Sequence, residues 1–141
     1  MSIKATWDVY DPEGSPALDS MEVHAPDDVA LLVTRLSGLH VAGGTLVHTK
    51  RPEIVSPYSG EVVPDHVLQV LVNGGFGYVH FHSPEHVSCS PVGDPDSGFH
   101  HYEYTDFEAG SGLPLPLFTR LLTEFLATAE RPTCVTWRNP D

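Results

Sequence analysis

Val67-Leu68-Gln69-Val70-Leu71-Val72-Asn73-Gly74-Gly75-Phe76-Gly77-Tyr78-Val79-His80-Phe81-His82 is the stretch on which the fold turns. Two β-prone runs flank a Gly-Gly pair, and glycine supplies the positive φ that a two-residue hairpin turn demands. With the turn at Gly74-Gly75, Val70 faces Val79, Leu68 faces Phe81 and Gln69 faces His80. Side chains alternate along a strand, so Leu68, Val70, Val72, Val79 and Phe81 form one apolar face. Gln69, His80 and His82 share the other. An antiparallel pair with one apolar face needs a cover.

Two segments supply it. Pro26, Asp27 and Asp28 favour a helix start, since fixed φ and negative charge suit the first turn. Val29, Leu32, Val33 and Leu36 then recur at helical spacing before Gly38, predicting a helix over 26–37. A second helix starts near Leu115-Pro116, presents Phe118, Leu121, Leu122, Phe125 and Ala129 on one side, and is broken at Arg131-Pro132. Further strands are expected at 3–9 and 21–24, joined through the turn-rich 11–16, and at 45–49, 99–104 and 133–137. Residues 50–65 and 83–98 read as loops, the latter irregular and exposed. The expected fold is therefore α+β, an antiparallel-rich sheet of about six strands with two helices packed on one face, in a single domain over 1–141.

The histidines raise the question of chemistry. His80 and His82 lie about 7 Å apart at strand spacing, and His86 and Glu85 follow closely, so a small metal-binding protein or metal-dependent enzyme using His80, His82 and His86 is one reading. The spacing matches neither a cupin motif, in which Glu85 comes too early, nor a metallo-β-lactamase motif, in which His86 comes one position late. Histidines on the open face of a half-buried strand need no ligand role. Cys89, paired on paper with His86 or His101, lacks a local signature and is expected to be a semi-exposed, inert loop thiol. Gly74-Gly75-Phe76-Gly77 leads into a strand rather than a helix, so it is not a phosphate-binding loop. No catalytic residue, metal ligand set or cofactor is assigned.

Charge is more informative. Nineteen acidic and seven basic residues give a net charge of −12, which disfavours direct nucleic-acid or membrane partners. Lys and Arg occur only at 4, 35, 50, 51, 120, 131 and 138, leaving 52–119 with nine acids and no fixed positive charge. Within that span Glu85, Asp94, Asp96, Glu103, Asp106 and Glu108 are interleaved with Tyr102 and Tyr104, a mixture of carboxylates and aromatic anchors suited to a basic protein surface. These eight residues are the candidate partner-binding set. The N-terminus lacks an apolar signal core, so a cytoplasmic protein is expected.

The C-terminal half also resembles a known family. Leu68-Gln69-Val70 leading to the Gly-rich turn, Tyr102-Glu103-Tyr104, Phe107, Leu113-Pro114, Glu124-Phe125-Leu126-Ala127-Thr128 and Arg131-Pro132-Thr133-Cys134-Val135-Thr136-Trp137 are similar to the first family of bacterial polymorphic-toxin immunity proteins. The resemblance implies a non-enzymatic antitoxin that binds and occludes a cognate toxin, typically a nucleic-acid deaminase. It implies no role for the His-x-His pair. An acidic inhibitor fits a deaminase toxin, which must present a positive groove to its substrate.

Overall fold

This computed structural model describes residues 1–138 of the chain. Its strands are β1 (Ile3–Tyr10), β2 (Pro16–Val23), β3 (Val41–His48), β4 (Glu53–Val55), β5 (Val62–Pro64), β6 (Val67–Asn73), β7 (Phe76–His82), β8 (His100–Tyr102), β9 (Thr105–Phe107) and β10 (Leu113–Pro114). The helices are α1 (Pro26–Leu36) and α2 (Leu115–Thr128). Six strands form one antiparallel sheet in the order β10-β7-β6-β3-β1-β2. Two small hairpins, β4–β5 and β8–β9, stand outside it. The fold is α+β.

The central hairpin has the register that alternation dictates: Leu68 pairs with Phe81, Gln69 with His80 and Val70 with Val79. Gly74 and Gly75 turn the chain at φ +62 and +84, which costs a side-chain-bearing residue strain energy that glycine avoids. Leu68, Val70, Val79 and Phe81 are fully buried. They join Ile3, Ala5, Trp7 and Leu46 from β1 and β3 against Val29, Leu32 and Leu36 of α1 and Phe118, Leu121, Leu122 and Phe125 of α2. Each large apolar side chain so enclosed contributes about 1.5–3 kcal/mol relative to exposure. Both helices cover the same face. At the start of α1, Asp28 Oδ2 accepts hydrogen bonds from the backbone N–H groups of His24 and Ala25. At the end of α2, Ala129 adopts a left-handed conformation and its N–H returns to the Phe125 carbonyl.

Four expectations are corrected. Residues 133–137 do not add a strand: Trp137 makes only an isolated bridge to Pro91. The outer edge of β7 is already taken by β10 at Phe76 and Gly77 and by Cys89 at Phe81, so the C-terminal segment pairs instead with the loop at 90–92. The strand expected at 99–104 ends at Tyr102, because Glu103 takes φ +54 and starts a tight turn into β9. Residues 50–65 contain the β4–β5 hairpin rather than a plain loop. Cys89 is fully buried in the core and is not a semi-exposed loop thiol. Among the described residues no helix is long and apolar enough to cross a membrane.

Candidate partner-binding surface

The face of the sheet turned away from the helices is only partly covered. Register places Lys4, Thr6 and Asp8 of β1, Thr45 and Val47 of β3, Val67 and Gln69 of β6, and His80 and His82 of β7 on it. Lys4, Thr6 and His82 are exposed, and the remainder of this group is half-buried. The β8–β9 hairpin lies over one end.

Its attachment is built from three contacts. The Tyr102 ring rests on Gly43, where an added Cβ would come within 2.6 Å of the ring, so only glycine allows that approach. The Tyr102 hydroxyl donates a 2.7 Å hydrogen bond to Asp8 Oδ2. Burial, and then the neighbouring Asp8 carboxylate, push the Tyr102 phenol well above its ordinary pKa. Thr105 Oγ1 donates to Gln69 Oε1. Below them Phe107 and Tyr102 join Leu71 and Tyr78 in a second apolar cluster, with Phe107 edge-on to Tyr78.

Thus Tyr102, expected as an anchor for a partner, is 7% exposed and serves as the foot of the hairpin. Tyr104, at the tip, is fully exposed. Glu103, Asp106 and Glu108 are exposed on the same hairpin and its exit. The loop carrying Asp94 and Asp96 is stitched to that exit by backbone hydrogen bonds: Gly93 N–H to the Gly110 carbonyl, Asp94 N–H to Gly112 and Gly110 N–H to Ser97, all 2.8–2.9 Å. The Ser97 hydroxyl oxygen also accepts from Gly112 N–H. Five of the six candidate carboxylates therefore lie on two joined segments. Cover by basic side chains is slight: Arg138 pairs with Glu108, and the His101 ring lies 2.7 Å from Asp106. Among the described residues Asp94, Asp96 and Glu103 have no Lys or Arg partner.

Glu85 belongs elsewhere. It accepts a 2.8 Å hydrogen bond from Arg51, within a polar network that sequence reasoning missed. Arg51 and Asp65 form a bidentate pair with both distances 3.0 Å, and their side chains are 7% and 5% exposed. The guanidinium also donates to the Ala129 carbonyl and to Glu130. His66, wholly buried, donates from Nδ1 to Asp65 and accepts the His48 backbone N–H at Nε2, which fixes it as the neutral Nδ1–H tautomer. His48 takes the opposite tautomer, donating from Nε2 to the Leu126 carbonyl and accepting Lys50 N–H at Nδ1. The network pins the ends of β3, β6 and α2 together at the opposite end of the sheet from Tyr102. Bonded partners within it lie up to 79 positions apart in sequence, and none carries a local signal.

His80 and His82 lie on the open face as alternation requires, while His86 sits in the bend after β7, where its N–H returns to the Ser83 carbonyl. Burial, and then the charge of His82, hold the His80 imidazole below its usual pKa, against an opposing pull from Glu108. Among the described residues no three His, Cys, Asp or Glu side chains are disposed to hold a metal ion.

The scaffold is thus an antiparallel α+β fold that carries carboxylates on a hairpin and on the loop joined to it. A family model described as "Immunity protein Imm1" matches residues 18–139, nearly the whole length, and the chain belongs to that family. The match extends the C-terminal resemblance back through α1 to β2. No curated protein is significantly similar to the chain in sequence.

Proposed function

We propose that the chain protects its producer by binding a cognate toxin and covering the toxin's nucleic-acid-binding groove, without catalysing any reaction. The toxin class we favour is a nucleic-acid deaminase. Family membership implies a toxin partner. The observation that carries the mechanism is the gathering of Asp94, Asp96, Glu103, Asp106 and Glu108 on two joined segments with little cationic cover.

A deaminase must draw a phosphate backbone towards its pocket, so its groove is positive and its natural ligand is a string of anions. Carboxylates spaced along a loop and hairpin can occupy the same potential, and long-range attraction accelerates the encounter. Tyr104, fully exposed at the hairpin tip, supplies the apolar contact that slows release. Tyr102, Gly43 and Asp8 hold the hairpin in one position, so little ordering cost remains on binding.

The test is competition. The toxin domain encoded by the neighbouring gene is mixed with a fluorescent single-stranded oligonucleotide, and the chain is titrated in. Stoichiometric displacement of the oligonucleotide is expected. A ternary complex retaining the oligonucleotide would refute groove occlusion, whatever its effect on activity.

A further inference from the structure

The β4–β5 hairpin is unexplained by the acidic surface. Among the described residues its strands pair only with each other, through Glu53 and Pro64, Ile54 and Val63, and Val55 and Val62. A two-stranded hairpin with no third strand is marginal in water. Yet Ile54, Val55 and Val62 are exposed, and Tyr58 at its loop is 98% exposed. Val55 and Val62 are cross-strand partners and so share one face of the hairpin, with Ile54 on the other; together with Tyr58 in the connecting loop they present exposed apolar surface of the kind that marks an interface.

The rest of the molecule holds this arm firmly. Arg51 lies just before it and Asp65 immediately follows it, so their buried bidentate pair closes its base like a clasp, reinforced by the Asp65 N–H to the Pro52 carbonyl. Glu85 and Glu130 bind the same guanidinium. The base also shares a cleft with Lys4 and Val47, on the open sheet face. Lys4 and Asp8 mark opposite ends of β1, so this arm and the β8–β9 hairpin stand at the two ends of one face.

We infer that the β4–β5 arm is a second docking element for the toxin, its Val55, Tyr58 and Val62 entering an apolar cleft rimmed by Lys or Arg. This rests on the reading of the chain as a toxin-binding protein. The charge argues for that occupant. Residues 52–64 contain Glu53 and Glu61 and no Lys or Arg, in a chain of net charge −12, so a second copy or an anionic membrane would be repelled whereas a basic protein would be attracted. A pre-clamped arm also loses little entropy on docking.

The experiment measures binding to the neighbouring gene's toxin domain by calorimetry for three proteins. They are the wild-type chain, a Val55→Ser/Tyr58→Ala/Val62→Ser variant, and a control on α1, Leu31→Ser, which alters an exposed apolar side chain away from the arm. Every substituted side chain is solvent-facing, and unfolding curves verify that the proteins fold. Wild-type binding with a loss of about 100-fold in the arm variant, and none in Leu31→Ser, is the expected result. Wild-type binding with arm-variant affinity within about threefold overturns the arm while leaving the toxin reading intact. Absence of wild-type binding overturns both. Equal losses in the arm and Leu31 variants also overturn the arm, because they show a general effect of surface change.

Discussion

The Tyr102 hydroxyl and the Asp8 carboxylate meet at 2.7 Å across 94 positions of sequence, joining the acidic hairpin to the second strand from the edge of the sheet. Tyr102→Phe keeps the ring on Gly43 and removes only this bond. It should lower stability by about 1 kcal/mol in urea unfolding, and speed hydrogen exchange at residues 100–107 more than in β6. Unchanged exchange in the hairpin would show that the bond does not hold it.

Gly43 permits the ring contact from the other side. Gly43→Ala places a methyl within 2.6 Å of the Tyr102 ring and should cost about 1–3 kcal/mol. In a Tyr102→Ala background the same substitution should cost far less. Equal costs in the two backgrounds, measured as a double-mutant cycle, would mean the residues are not coupled.

At the opposite end, Arg51→Met leaves Asp65 buried without its cation. A loss of about 3 kcal/mol is expected, as for other ion pairs broken from one side. Replacing both partners, Arg51→Met with Asp65→Asn, should recover part of it. A single-site loss below about 0.5 kcal/mol would reduce the clasp to a surface ion pair.

Acid should weaken the protein in two stages. Burial holds the His66 imidazole below its ordinary value of 6.5, a shift that the Asp65 carboxylate opposes and that Arg51 and the neighbouring His48 assist. The unfolded chain therefore takes up this proton first, so the associated stability is intact above about pH 6.5 and declines as pH falls from there toward the folded value. His80 shifts in the same direction. Asp65 behaves as a depressed carboxylate: burial alone would raise it, but Arg51 and His66 outweigh burial and bring it below 3.8. Its contribution is present above that value and disappears as pH drops through the folded one. Urea midpoints should fall between about pH 7.5 and 5.5, and His66→Gln should flatten that portion. A midpoint independent of pH over this range would contradict the buried neutral imidazole.

What could be read in the sequence follows from the range of each signal. Alternation through Val67–Asn73 and Phe76–His82 is long enough to set parity and register, and the i, i+3, i+4 pattern of Val29, Leu32, Val33 and Leu36 marks a helix without reference to anything distant. Strands of three residues, such as Glu53–Val55 and Thr105–Phe107, are too short to show a period. Thr133 to Trp137 has strand-forming residues, but the edge it would join is occupied, which is a fact of topology and not of propensity. Tyr102 and Tyr104 look alike in sequence; the left-handed turn at Glu103 sends one inward and the other into solvent. The Arg51, Asp65, His66 and His48 network depends on chain ends brought together only in the folded state.

The acidic surface is the centre of this account, and association kinetics test it most directly. Asp94→Lys, Asp96→Lys, Glu103→Lys, Asp106→Lys and Glu108→Lys, introduced together, should slow association with the cognate toxin domain by about 10- to 100-fold at low salt. The steep fall of the wild-type rate with ionic strength should flatten or reverse. A wild-type rate insensitive to salt, or a charge-reversed chain that associates as fast as the wild type, would contradict it.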